Sequence, residues 1–302
     1  MRKYFLLLLF FFSALLMWAD NASNVRIRQE GKSIIITYDL SKRSNVSVYV
    51  KSKERPNWYK LKHMIGHKGE NIASGKNKQV VWYPLKEFDS FVGSNVQFKV
   101  ETANFENGHE YVDLGLSVKW ATCNVGADSP EDYGDYFAWG EVDTKIDYSN
   151  WTYKYSVFRL NLFHFIKYCT KRNFGYEGFS DKKTVLDFSD DAAKMNWGGG
   201  WRMPTDAEMT ELRENCKWIW TTYNGVNGYN VVGLNGNSIF LPAAGWMYCR
   251  SLDQVGLFGR YWSRSLHIDN MNWAYSAFFS SSKVGKGETC RDYGLSVRPV
   301  CK

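Results

Sequence analysis

Ser33-Ile34-Ile35-Ile36-Thr37-Tyr38-Asp39-Leu40 and, a few residues on, Val46-Ser47-Val48-Tyr49-Val50 decide the architecture of the first third of the chain. Val46, Val48 and Val50 recur at every second position with Ser47 and Tyr49 between them, so an extended segment has one apolar face. β-Branched residues suit that pleated backbone. Outward from this pair, Gln79 to Tyr83 and Val96 to Val100 repeat the pattern, the latter with Val96, Phe98 and Val100 on one face. Stretches rich in Gly, Asn, Ser and Lys separate the runs as turns. The reading is about six or seven short antiparallel strands within residues 24–103.

Strands of that number predict an N-terminal all-β sandwich of immunoglobulin or fibronectin-III type over residues 20–104, a module that serves as a spacer. Trp58 and Trp82 are expected in its core. The module is basic: Asp20 to Asn104 holds 15 Lys/Arg against 8 Asp/Glu, a net +7, whereas Phe105 to Lys302 holds 21 against 23, a net −2. Such a charge suits an acidic glycan or an anionic cell surface, and a merely solvated basic face is the alternative. The basic residues are scattered and form no nucleic-acid-binding motif, so no nucleic acid is expected as a partner.

The first residues read as a secretory signal peptide, 1–19. Arg2 and Lys3 are basic, Phe5 to Met17 is apolar except for Ser13, and Ala19 is the candidate cleavage residue. The alternative is an uncleaved anchor, but a run of roughly 13 to 15 apolar residues falls short of the ~20 that span a bilayer. No later stretch is long and apolar enough to span, and no Cys follows the cleavage point to carry a lipid. The expectation is an exported protein, at the cell surface, associated with an outer membrane, or secreted. Export meets oxidising conditions, so disulfides are open to Cys123, Cys169, Cys216, Cys249, Cys290 and Cys301. Six cysteines allow fifteen pairings, and none sits in a C-x-x-C or His/Cys cluster with metal-ligand spacing.

Composition changes near Asn104 to His109. Beyond it Trp, Gly, Asn and Tyr are dense and helices appear. Thr205 and Glu208 have the spacing of a capping box, and Met209, Leu212 and Cys216 form an apolar stripe behind it, which predicts a helix over Thr205 to Cys216. A shorter helix is expected from about Asp187 to Asn196, stopped by Gly198-Gly199-Gly200. Short strands and long loops follow Cys216. Residues 105–302 are thus expected to form a C-terminal α+β domain whose loops carry function.

Several segments of that domain carry a resemblance. Glu110-Tyr111-Val112-Asp113-Leu114-Gly115-Leu116-Ser117-Val118-Lys119-Trp120-Ala121-Thr122-Cys123-Asn124-Val125-Gly126-Ala127 and Glu131 to Glu141 resemble the opening of the Fibrobacter succinogenes major paralogous domain family, surface proteins frequent in Bacteroidetes. Trp201-Arg202-Met203-Pro204-Thr205, Leu241-Pro242-Ala243-Ala244-Gly245, Tyr261-Trp262-Ser263 and Gly294-Leu295-Ser296-Val297-Arg298-Pro299-Val300 continue the likeness. It covers 105–302 and implies a C-type-lectin-like fold. The first module is more loosely similar to fibronectin-III-like domains. The stretch between Trp262 and Arg298 is similar to the variable region of retroelement-diversified proteins. There fixed Trp, Ser and Arg-Pro positions frame changing residues, although the same residues also fit a fixed surface. The resemblance also implies that Cys249 and Cys290 are additions that pair with each other.

The candidate ligand-binding residues are Arg264, His267, Asp269, Asn272, Trp273, Tyr275, Lys283, Lys286, Glu288, Arg291 and Tyr293. Aromatic and Arg side chains among them are the types that dominate interface hot spots. Trp262, Trp201 and Trp120 are assigned to the core and Trp273 to the surface. No metal site is expected: the Glu-Pro-Asn and Gln-Pro-Asp motifs of Ca²⁺-dependent lectins are missing, and Asp128, Glu131, Asp132 and Asp135 read as a solvated loop. No cofactor and no catalytic residues are assigned, since neither a nucleophile elbow nor a His-Glu-x-x-His appears. The expected function is adhesin-like binding of a protein or glycan at a cell surface. A structural subunit of a pilus or surface assembly is the alternative. An oxidase similar to formylglycine-generating enzymes, using Cys290 and Cys301 on copper, is a third reading, although the context of these cysteines departs from that family's motif.

Overall fold

The computed structural model describes residues 5–7, 21–93 and 95–302. The signal-peptide expectation falls almost wholly outside them. The chain divides into two compact units, Met1–Phe105 and Glu106–Lys302. Both are β-rich. Among the described residues no helix is long and apolar enough to cross a membrane.

The first unit holds two antiparallel sheets. One runs in the order Ala22–Glu30, Ser33–Leu40, Gly75–Trp82, Met64–Gly66. The other is built on Ser44–Lys51, which pairs with Gln97–Glu106, Tyr59–Lys60 and Gly69–Ile72. The alternation read from the sequence is the burial pattern. Val46, Val48 and Val50 are buried and join Ile34, Ile36, Tyr38, Val80, Trp82 and Val100 in one core. Trp82 donates its indole N–H to Glu87 Oε1 at 2.9 Å, so its polar atom is satisfied inside the unit. Burial pushes the Tyr38 phenol up to about 12. Trp58 departs from expectation. It is only half-buried, with the Lys51 and Lys99 ammoniums 4.6 Å and 5.0 Å from its ring centre, because it continues the outer row of the second sheet instead of the inner one.

In the second unit the strand Lys119–Ala121 lies between His109–Val112 and Val300–Cys301, so the unit's last strand is hydrogen-bonded beside its first ones. Two three-stranded antiparallel sheets follow: Lys217–Tyr223, Val226–Val232 and Ser238–Pro242; then Phe258–Leu266, Trp273–Ser280 and Lys283–Cys290. Helix is confined to α1, Ala192–Trp197, and α2, Asp206–Asn215, with a few single 3-10 turns. The expected α+β domain is therefore mainly β, because strands and loops, not further helices, fill the span around these two. The capping box is present: Thr205 Oγ1 accepts from the Glu208 N–H at 3.2 Å, and Glu208 Oε2 accepts from the Thr205 N–H at 2.8 Å. Arg202 donates to both oxygens of the same carboxylate, at 2.8 Å to Oε2 and 2.5 Å to Oε1. Met209 and Leu212 are buried, while Cys216 is only partly so.

Trp120, Trp201 and Trp262 are all fully buried, as their assignment to the core required. So is Arg298, whose guanidinium meets no carboxylate among the described residues. It donates instead to Asn124 Oδ1 at 2.8 Å and to the carbonyls of Ala121, Thr122 and Phe240 at 3.0, 2.6 and 3.0 Å. All three guanidinium nitrogens are thus occupied, which is what permits so costly a burial. All six cysteines are free thiols, so the expected Cys249–Cys290 bridge is not formed in this structure.

Candidate ligand-binding face

Register decides which of the candidate residues meet. In the last sheet Tyr275 pairs with Glu288, Ala277 with Lys286, Phe279 with Val284 and Trp273 with Cys290. Alternate residues share a face, so these eight side chains lie on one side of the two strands. The face is graded along its length. Phe279 and Val284 pack with Met209 and Leu212 of α2 and with Tyr261 in the core. Gly259 makes this seat possible, since a Cβ there would meet the Phe279 ring at 2.1 Å. The space left between α2 and the sheet is about 10 Å³, barely the size of one water, so the seat is tight. Towards the other end Trp273 and Tyr275 are half-buried, and Lys286 and Glu288 are exposed.

The exposed end is ordered. The Lys286 ammonium lies 3.5 Å from the Tyr275 ring centre and donates to Asp206 Oδ2 at 2.7 Å. Asp206 is the first residue of α2, so the helix start fixes where this lysine stands. His267 flanks the same aromatics, its ring 4.9 Å from Tyr275 and 5.9 Å from Trp273. Its Nδ1 accepts from the backbone N–H groups of Asp269 and Asn270 at 3.1 and 2.9 Å. That leaves Nε2 to carry the proton and donate to Glu288 Oε1 at 3.1 Å. One imidazole thus ties the loop after Leu266 to the far strand of the sheet. Asp269 and Asn272 extend the rim from that loop. The Asp269 side chain is 82% exposed, and Asn272 is exposed with its amide on Asn270 Oδ1 at 2.9 Å.

Four expected contact residues do not join this face. Arg291 is 1% exposed and Arg264 8% exposed. Arg291 donates to the Tyr153 hydroxyl at 2.9 Å and to the carbonyls of Tyr168, Met271 and Lys167 at 3.2, 3.1 and 3.2 Å. The rings of Phe165, Trp139 and Tyr153 surround it at 4.3, 5.0 and 5.2 Å. Arg264 donates to the Leu186 carbonyl, lies 3.7 Å from buried Asp191 and covers the Phe188 ring. Both arginines are framework, because backbone carbonyls and rings, not solvent, surround them. Lys283 points from the opposite side, 5.4 Å over Phe278. Tyr293 packs on Tyr248 with ring centres 4.8 Å apart, and burial pushes its phenol up to about 12. Beside it buried Asp292 is pushed up to about 6, chiefly by burial.

Two features were absent from the sequence reading. Asp206 belongs to the face, and its signal was available: it directly follows the capping residue Thr205, at the helix end that favours a carboxylate. The second is the hairpin Ser156–Arg159 and Leu162–Phe165 with Trp151 beside it. Trp151, Phe158 and Phe163 form one aromatic cluster. Trp151 is 70% exposed and Leu160, at the hairpin tip, 84%. Their spacing gave no amphipathic period to read. Among the described residues no group of His, Cys, Asp and Glu side chains is placed to hold a metal ion. No family model matches this chain, and no curated protein or solved structure proved similar to it.

Proposed function

We propose that this chain is an exported adhesin-like binding protein. In this reading the second unit, with a C-type-lectin-like fold, presents the outer end of its last sheet to a protein or glycan, and the first, immunoglobulin- or fibronectin-III-like, acts as its spacer. The observation that carries the reading is the convergence of Trp273, Tyr275, Lys286 and Glu288 on one partly exposed face, with His267, itself only 8% exposed, buried behind them. Half-buried aromatics with charged neighbours offer large apolar area at little entropic cost to a partner. The exposed Trp151–Leu160 hairpin adds an apolar surface of the kind that marks interaction sites.

The oxidase reading has less behind it. Burial pushes the Cys301 thiol up to about 11, which opposes the thiolate that a copper ligand needs. The test of the binding reading is to apply the full chain to a glycan array and to bacterial and epithelial cell surfaces. Tyr275→Ala is expected to lower any specific signal at least about tenfold, the size of a hot-spot loss. An unchanged signal overturns it.

A further inference from the structure

The outer face of the second sheet in the first unit carries a set of side chains that the proposed function does not use. Register places Tyr49 between Lys60 on one neighbouring strand and Lys99 on the other, and Lys51 opposite Gln97. Trp58 stands just before the strand Tyr59–Lys60, one step along the same edge. The Lys51 ammonium lies 4.6 Å from the Trp58 ring centre, and the Lys99 ammonium lies 5.0 Å from Trp58 and 5.1 Å from Tyr49. Two like charges therefore converge on one indole. Among the described residues Glu101 eases their mutual repulsion, 2.5 Å from Lys99, whose side chain is 18% exposed against 44% for the carboxylate. Lys60 is the most open cation of the set, exposed where Lys51 and Lys99 are half-buried.

We infer that this face is a second binding site, for an acidic polysaccharide. The rings hold two ammoniums in fixed positions, so less rotamer entropy is lost when an anion arrives than with free lysines. Strand spacing sets the lateral reach. Lys60 and Lys99 stand on strands either side of Tyr49, so their backbones are ~10 Å apart. That is a row of separated positive charges, suited to a polymer with repeated carboxylate or sulfate groups more than to a single small anion. The two rings lie under the lysine ammoniums instead of standing clear of them, which favours a sugar chain over a bilayer. Trp58 is a positioning residue here, since it acts through the lysines it orients.

The experiment uses the full chain and four probes: heparin, polygalacturonate, neutral dextran, and vesicles containing phosphatidylserine. Heparin or polygalacturonate is expected to bind and dextran not to. Lys51→Ser with Lys60→Ser and Lys99→Ser is expected to weaken that binding at least about tenfold and to reduce its salt dependence. The control triple Lys32→Ser, Lys42→Ser and Lys76→Ser removes the same charge from exposed positions elsewhere in the unit and is expected to leave affinity within about twofold. Trp58→Ala is expected to weaken binding and Trp58→Phe to restore most of it. Lys60→Ser alone, at an exposed position, keeps the test open should the triple fail to fold. Equal losses in the two triples overturn the inference, as does binding to vesicles without either acidic polysaccharide. Heparin binding that is lost in Tyr275→Ala and kept in the lysine triple places the polysaccharide on the other unit and overturns the inference.

Discussion

The Lys286 ammonium sits 3.5 Å from the centre of the Tyr275 ring and 2.7 Å from Asp206 Oδ2. One cation thus joins a sheet face to the start of a helix far away in sequence. A cation over an aromatic face at a partly exposed site contributes roughly 0.5–1 kcal/mol. A double-mutant cycle of Lys286→Met and Tyr275→Leu, read from urea midpoints, is expected to give a coupling of that size. A coupling of zero means the contact organises nothing.

Arg291 is the buried anchor behind the face. Arg291→Met leaves the Tyr153 hydroxyl and three carbonyls without their donor. The expected loss is about 3–5 kcal/mol, since several buried acceptors are left unsatisfied at roughly 1–3 kcal/mol each with partial relaxation. Arg291→Lys is expected to recover only a part, because an ammonium cannot reproduce the planar fork. Chemical denaturation of the three proteins checks the order.

Asp292 makes stability depend on pH. Its carboxyl titrates near 6 in the folded chain against an ordinary 3.8, and burial is the main cause. A raised acid favours the folded state fully below the unfolded value, and that contribution is lost as pH rises through about 6. Asp292→Asn removes the ionisation. It is expected to stabilise the protein by about 2–3 kcal/mol at pH 8 and by less than about 1 kcal/mol at pH 4. Equal effects at both pH values contradict the assignment.

The capping box sets the start of α2 and, through Asp206, the position of Lys286. Thr205→Ala is expected to cost about 1 kcal/mol and Thr205→Ser much less. A near-neutral Thr205→Ala, measured by thermal melting, contradicts the role given to the cap.

The strands and the capping box were legible because their causes are local. Val46, Val48 and Val50 alternate within five residues, and Thr205 and Glu208 lie three apart. The core places of Trp120, Trp201 and Trp262 followed from size and apolarity alone. The arginines were not legible. Nothing near Arg291 in sequence announces Tyr153, Lys167 or Tyr168, whose oxygens it needs, so its composition read as a surface hot spot. Trp58 misled for the same reason: Lys99, which covers it, arrives from a strand 41 residues later. The face itself was half legible. Trp273, Tyr275, Lys286 and Glu288 were singled out by type, but only the strand register separates them from Lys283, the first residue after the turn and on the other side.

The most direct measurement compares the affinity of two double variants of the full chain for whichever array or cell-surface target the wild type binds. Trp273→Ala with Tyr275→Ala alters the proposed face, and Thr221→Ala with Thr222→Ala alters a different sheet of the same unit. The account predicts a loss of at least about a hundredfold in the first, roughly two hot-spot residues' worth, and less than about twofold in the second, with both melting within a few degrees of wild type. Retained affinity in the first variant, or equal loss in both, contradicts the claim that this sheet end is the binding site.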